Sequence, residues 1–319
     1  MKGLKGFLQA SVLRKDISKL INGLEYPCWM PFYHTVSDQP LAHIKHLYPL
    51  KSVELFEQEL EFYLKHFTIV SQEDICQKRG QKPNLFLSFD DGLIEFDEII
   101  APILYKKGVP ATVFLNSNFV DNKDLFFRYK ASILASELEA RNTGSDIQNS
   151  ISELLKIDYA NKELLDSLAK DMAIDFKDYL DKKPIYLSTD QIKHWKHRGF
   201  DFGAHSQDHP LYEKLNLQEQ LSQTRNCIEE LKSLLGFPIN SFSFPFTDFG
   251  VFPTFFSELK KDYPELLTFG TSGLKLDPVD NHYHRLPMDD SLGKIDDFFI
   301  KNIQRYHLKR ILGKHIYKR

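Results

Sequence analysis

The apolar positions along this chain fall into two alternating rhythms. Val53 to His66 places Val53, Phe56, Leu60 and Leu64 on one helical face. The helix expected from about Glu95 to Lys107 closes at Gly108, with Pro110 just beyond. Short apolar runs separate the helices: Cys28 to His34 (despite Pro31), Phe67 to Val70, Leu85 to Phe89, and Ala111 to Leu115. A brief helix capped by Ser71 follows the second run. Strand alternating with helix predicts a parallel α/β sheet or barrel.

The rhythm stops between about 118 and 184, where the pattern is helical and charged with no convincing strand. Large apolar residues are too sparse there for a deep core of its own, so this stretch reads as a helical insertion over one end of the main body. Phe126-Phe127-Arg128-Tyr129 opens it, aromatic enough to line a cleft, with packing against the body as the plainer reading. The alternation then resumes. A helix capped by Thr189 ends at Gly199, a strand covers Phe200 to Ala204, and a long helix runs from Leu217 to Leu235 before Gly236. Strands are expected at Ile239 to Phe244, Leu266 to Phe269 and His284 to Pro287, and a last helix from Ser291 to about Leu312. Residues 1–24 carry apolar positions at helical spacing among Lys2, Lys5, Arg14, Lys15 and Lys19, which predicts an amphipathic helix preceding a domain of residues 25–319.

Composition narrows the partners. The chain has 319 residues, 41 basic and 44 acidic, for a net charge of -3, which gives no broad footprint for nucleic acid. Cys28, Cys76 and Cys227 are few and far apart, which argues against a disulfide framework and a thiolate metal site. No apolar run is long enough to span a bilayer, and the first residues lack the continuous apolar core of a secretory signal, so a cytoplasmic location is expected. The basic stretch Lys301 to Arg319 and the first helix leave peripheral contact with a membrane as a minority reading beside a solvated helix face.

Three strand ends carry chemistry: Asp90-Asp91-Gly92, His205-x-x-x-His209-Pro210, and Phe244-Pro245-Phe246. In parallel α/β folds the carboxyl ends of the strands share one rim, so the three can converge. One Asp and two His leave an open position on a divalent ion, which acidifies water and polarises a carbonyl. The other Asp can then act as general base. Because neighbouring strand residues face opposite ways, the two Asp are expected to differ in role. Blander readings stand beside this. Asp-Gly is ordinary turn chemistry, Asp91 fits a helix N-cap, and two histidines four apart occur often by chance.

Together, Ser88-Phe89-Asp90-Asp91-Gly92, His205-Ser206-x-x-His209-Pro210 and Ser243-Phe244-Pro245-Phe246 resemble the polysaccharide deacetylase family, the NodB-homology or carbohydrate esterase family 4 domain. The resemblance runs from Tyr33-His34 to about Asp290 and implies an irregular barrel of the (β/α)7 type, about seven strands, with a helical insertion. It implies Asp90 as catalytic base, Asp91, His205 and His209 as ligands of a divalent ion, zinc first, and an oxyanion-holding backbone N–H near Phe246. The implied reaction removes an acetyl group, N-acetyl first, from a polysaccharide or glycan intermediate. The implied partner is thus an acetylated glycan or amino sugar.

The sequence departs from the family in two places. The third motif often opens with an arginine that steadies the base, and Ser243 stands there. Arg285 is the candidate substitute, unless it pairs with a surface acid such as Asp289. No clear Leu-x-His motif supplies a general acid, so His284 and His282 are the nearest candidates, His282 being the more easily explained as a surface residue. His34 either faces the site or is a core histidine. Two competing functions follow: a carbohydrate-binding protein that kept the fold and lost catalysis, and a non-haem iron oxygenase built on two His and one carboxylate, whose usual all-β fold disagrees with the alternation here.

Overall fold

The computed structural model describes residues 16–75, 77, 80–141 and 147–319. Ten strands appear in chain order: β1 (Pro31–Tyr33), β2 (Thr68–Val70), β3 (Asn84–Phe86), β4 (Ser88–Phe89), β5 (Thr112–Leu115), β6 (Asp201–Ala204), β7 (Ser241–Ser243), β8 (Leu267–Gly270), β9 (His282–His284) and β10 (Leu286–Pro287). Eight form one parallel sheet in the order β10-β1-β4-β5-β6-β7-β8-β9, and β2 pairs with β3 beside it. The two ends of the large sheet, β9 and β10, are one stretch of chain interrupted at Arg285. Its first half pairs with β8 and its second half with β1. Counting that stretch once gives seven strands around a nearly closed barrel, as the resemblance implies.

The strands form where expected, with instructive shifts. Leu85 to Phe89 is not one strand: the chain changes partner at Leu87, leaving β3 on β2 and β4 between β1 and β5. Pro31 is tolerated because it is the first residue of its strand. The helix after Gly92 begins as a π-turn, Phe96–Ile100, before the α-helix Ala101–Lys106, and Pro102, which has no N–H to donate, lies at the join. Ser188, not Thr189, caps the helix Thr189–Lys196, through a reciprocal pair with Gln191. The long helix Leu217–Leu235 keeps its expected bounds, with Asn216 as cap and Gly236 at φ 79 closing it. Most of the first amphipathic helix lies outside the described residues. Its described part, Ile17–Gly23, buries Ile17 and Ile21 and packs on the last helix, Ile295–Ile311. Cys76 also falls outside the described residues, while Cys28 and Cys227 are buried.

Two apolar bodies result. The larger lies around the barrel, where the strand faces meet the helices. The second is built from the insertion: Leu125, Phe127, Leu134, Ile151, Leu154, Leu165 and Leu180 pack together with Leu41, Ile44 and Leu93 of the main chain. The insertion therefore has more of a core than its own composition suggested, because the segment around Leu41 to Leu50, which carries no clear periodicity, completes it. Ile94 N–H to Ile185 and Leu187 N–H to Gly92, at 2.8 and 2.9 Å, tie the end of the insertion to the turn behind Asp91. Among the described residues no helix is long and apolar enough to cross a membrane.

Candidate active site

Asp90 continues the edge of β4, its N–H bonded to Tyr33 O at 2.9 Å. The next residue leaves the strand. Asp91 has φ 71 and Gly92 φ 63, so the chain turns at once, and both carboxylates face the same cavity. The strand-alternation argument for dividing their roles is thus overturned; a left-handed turn, not opposite strand faces, sets their directions. Gly92 is required by Leu115: a Cβ there would lie 2.6 Å from Leu115 Cδ2. The loop after β6 uses the same device, with Ser206 at φ 67 and His209 at φ 60, and Phe246 after β7 sits at φ 57. Non-glycine residues seldom adopt this conformation, and its clustering at one rim marks strain held by surrounding contacts. Those contacts are visible. Asn116 at the end of β5 donates to the carbonyls of His205 and Ser206, and Ser206 Oγ accepts the His209 N–H at 3.0 Å.

The structure brings Asp91, His205 and His209 together, all three buried. Asp91 Oδ1 is 3.5 Å from His205 Nε2 and 3.3 Å from His209 Nε2, and none of these three atoms has a hydrogen-bond partner among the described residues. Of the other polar atoms of the set, His209 Nδ1 has no hydrogen-bond partner among the described residues, and those of His205 and Asp91 are committed. His205 Nδ1 donates to Ser243 O at 2.8 Å, which leaves Nε2 as a lone pair, and Tyr129 donates to Asp91 Oδ2 at 2.6 Å. Burial holds the His205 imidazole below its ordinary value, at about 4, so it is neutral. Burial works against an ionised Asp91, but the neighbouring His209 and His34 more than offset it and hold that carboxyl well below the usual range. A buried carboxylate oxygen and two imidazole nitrogens, orphaned and converging, fit a divalent ion, with outer partners that orient them.

Beside this set lies Asp90. Arg285 reaches it through the barrel with two 2.7 Å hydrogen bonds, Nη1 to Oδ1 and Nη2 to Oδ2. The same guanidinium donates to Ser88 Oγ and Ser243 Oγ and lies 4.2 Å from the Phe32 ring centre. Burial pushes the Asp90 pKa up, and Arg285 more than offsets it, so the net shift is downward and Asp90 stays ionised. Arg285 does not pair with Asp289. Ser243, small and polar, leaves the space through which the arginine of another strand arrives.

His284 and His282 are not at this site. They face the outside of the barrel beside Asp248 and Asp277, because Tyr283 and Arg285 take the inward positions of the same stretch. The expectation of His284 as general acid is therefore corrected. His34 lies at the site instead. It lines the cavity with Asp90 and Asp91, and its Nδ1 is 2.7 Å from Asp289 Oδ2, while Asp289 Oδ1 accepts its backbone N–H at 3.1 Å. Burial disfavours the charged imidazole, but Asp289, and beyond it Asp91 and Asp90, more than offset that and raise the pKa to about 9.

The cavity over these groups measures about 500 Å³, walled by Phe32, Tyr48, Phe126 and Phe246. The insertion supplies part of the wall directly: Phe126 lies 4.3 Å from the His209 ring, and Tyr129 holds Asp91. Phe246 packs on the other side of His209 at 4.6 Å, its carbonyl accepting from Thr271 at 3.0 Å. Tyr129, Tyr48 and Asp289 escaped the sequence reading as site residues. For Tyr129 the aromatic run at 126–129 was the available signal, whereas nothing near Tyr48 or Asp289 marked them.

A nearly closed parallel barrel with a carboxylate clamped by arginine, next to an Asp-His-His set at the strand ends, defines a hydrolase-type centre. The family model for polysaccharide deacetylase matches residues 77–251, more than half of the chain, and the chain belongs to this family of hydrolases acting on carbon–nitrogen bonds. Solved structures with a similar fold include the Streptococcus pyogenes deacetylase PplD in complex with acetate, 14% identical, covering 88% of this chain and 98% of that one at a TM-score of 0.56. IcaB from Ammonifex degensii is 15% identical, with 88% and 96% covered and a TM-score of 0.53. A de-N-acetylase from Aggregatibacter actinomycetemcomitans is 16% identical, with 86% and 99% covered and a TM-score of 0.55. No curated protein sequence matches the chain.

Proposed function

We propose that this protein is a metal-dependent deacetylase that removes an N-linked acetyl group from an amino sugar within a glycan. The observation that carries the reading is the Arg285–Asp90 pair set beside three converging, unpartnered ligand atoms of Asp91, His205 and His209. A divalent ion on those ligands, zinc by the chemistry of one carboxylate and two imidazoles, supplies Lewis acidity toward the acyl carbonyl and toward water when bound.

The chain's own groups do the rest. Asp90, kept ionised by Arg285, accepts the proton of the attacking water as the new C–O bond forms. The Phe246 N–H, aimed by the left-handed turn at φ 57, donates to the oxyanion. His34, kept protonated by Asp289, gives its proton to the sugar nitrogen as the C–N bond breaks, so that an amine and acetate leave. The aromatic walls suit the C–H faces of a pyranose ring, and the segment 118–184 acts as a lid that also braces a ligand through Tyr129.

The decisive experiment measures acetate release from acetylated amino-sugar oligomers alongside bound metal. Asp90→Asn is expected to abolish release while metal content stays at the wild-type level. Bound metal with no release by the wild type from any acetylated glycan overturns the reading.

A further inference from the structure

A second group of ligand-type side chains lies on the outer face of the barrel: Asp248 from the loop after β7, Asp277 from the loop before β9, and His282 and His284 of β9. Each offers one ligand atom, all within 4.8 Å of one another, and all four side chains are closed to solvent at 0% exposure. We propose that this cluster is a second divalent-metal site, structural in kind and taking zinc or an ion of similar ligand preference.

The argument rests on where the imidazole protons must be. His282 Nδ1 lies 2.8 Å from Thr268 Oγ1, and that hydroxyl has its own acceptor in Asn281 O at 3.3 Å. The Nδ1 proton therefore goes to Thr268, and Nε2 is left a bare lone pair. His284 Nε2 lies 3.0 Å from Asp277 Oδ2, which accepts only, so the proton is on Nε2 and Nδ1 is bare. Both bare nitrogens point at one carboxylate: His282 Nε2 is 3.4 Å from Asp248 Oδ2 and His284 Nδ1 is 3.8 Å from Asp248 Oδ1. Neither takes a hydrogen-bond partner among the described residues. Lone pairs facing a carboxylate in a closed space repel, and a cation between them reverses the sign of every one of these contacts.

Charge points the same way. Arg319 donates to Asp248 Oδ2 at 2.8 Å and to Asp277 Oδ2 at 2.9 Å, so one guanidinium is shared by two buried carboxylates and one negative charge is left over. The guanidinium occupies the outer side of the carboxylates and fixes their direction, the role an outer partner plays around a metal centre. Room is also provided. A Cβ at Gly270 would lie 2.2 Å from Asp248 Oδ1 and 2.8 Å from His284 Nδ1, so only glycine at that strand end leaves the space between them. Asp248, His282 and His284 supply three protein ligands, Asp277 orients His284 from the far edge of its ring, and the closure of all these side chains to solvent suits a structural ion and not a second catalytic one. Its effect is to bind the loops flanking β8 and β9 to each other.

The test separates this site from the one in the cavity. In the full chain carrying His205→Ala and His209→Ala, cobalt(II) is titrated and the visible absorption recorded. One equivalent with the intense bands of a four-coordinate ion is expected, lost on adding His284→Ala. In parallel, the wild type is expected to carry two zinc ions per chain and His282→Ala/His284→Ala one fewer. Should the latter variant fail to fold, judged by circular dichroism, the cobalt titration alone decides. Absence of stoichiometric metal in the His205→Ala/His209→Ala protein, or wild-type metal content unchanged by His284→Ala, overturns the proposal and leaves the cluster a salt-bridged network around Arg319.

Discussion

Arg285 and Asp90 stand 195 positions apart in the chain and meet in the barrel interior through two parallel 2.7 Å hydrogen bonds. Arg285 is the residue at which the seventh strand changes partner, from β8 on one side to β1 on the other. The residue at which the barrel closes is thus also the one whose side chain clamps Asp90. Removing it leaves a buried carboxylate without its counter-charge, so Arg285→Met is expected to cost about 3–5 kcal/mol of stability and to lower acetate release by about two orders of magnitude or more. Denaturant unfolding and steady-state rates check the two effects separately.

The same pair predicts how the arginine can move. Ser243 Oγ already touches the guanidinium, so Ser243→Arg alone places two cations in one slot and is expected to destabilise. Ser243→Arg combined with Arg285→Ser is expected to recover part of the activity lost in Arg285→Ser. No recovery over the single variant would show that the guanidinium must come from the last strand.

Asp289 sets the proton on His34. The His34 pKa is raised to about 9, so the acid is in its active, protonated form below that pH and is lost as pH rises through it. Asp289→Asn withdraws the largest of the charges that favour the imidazolium, and the pKa falls. The alkaline limb of the rate profile is therefore expected to move to lower pH, with the rate on its acid side much less affected. An unmoved limb removes His34 from the proton path.

Tyr129 belongs to the insertion yet holds a ligand, donating to Asp91 Oδ2 at 2.6 Å. Tyr129→Phe keeps the ring packing on Phe126 and deletes that bond together with the longer contact to the Tyr48 hydroxyl at 3.5 Å. Outer partners of ligands are worth about 10- to 100-fold in metal affinity. Competition against a chelator is expected to show a loss of that size, with little change in thermal stability of the metal-free protein.

Gly92 offers the sharpest steric test. At φ 63, and with Leu115 Cδ2 2.6 Å from where a Cβ would go, Gly92→Ala meets both a disfavoured backbone and a clash. A loss of about 1–3 kcal/mol from the backbone alone is expected, with overpacking added. Gly92→Ala/Leu115→Ala relieves the clash and not the φ, so thermal melts of the two variants divide the contributions.

The alternation of apolar runs with helical patterns determined a parallel α/β sheet or barrel, the motif resemblance pointed to the barrel, and the adjacency of Asp90-Asp91 and His205-x-x-x-His209 to strand ends showed which residues can meet, because parallel strands deliver their carboxyl ends to one rim. Those are local signals, carried by periodicity and spacing. Three matters were settled only by tertiary structure. Whether Arg285 serves Asp90 depends on the seventh strand closing the barrel, which is a pairing between distant segments and has no local signature. That His284 points away from the site and His34 toward it follows from which face of each strand turns inward, and a one-residue shift in either strand would reverse its own histidine. The directions of the Asp90 and Asp91 carboxylates have a reason that alternation did not contain: at Asp91 the backbone turns left-handed, and Gly92 continues the turn. The sequence thus determined the chemistry available at the rim, and the fold decided which atoms each residue turns toward it, since orientation depends on contacts between segments far apart in the chain.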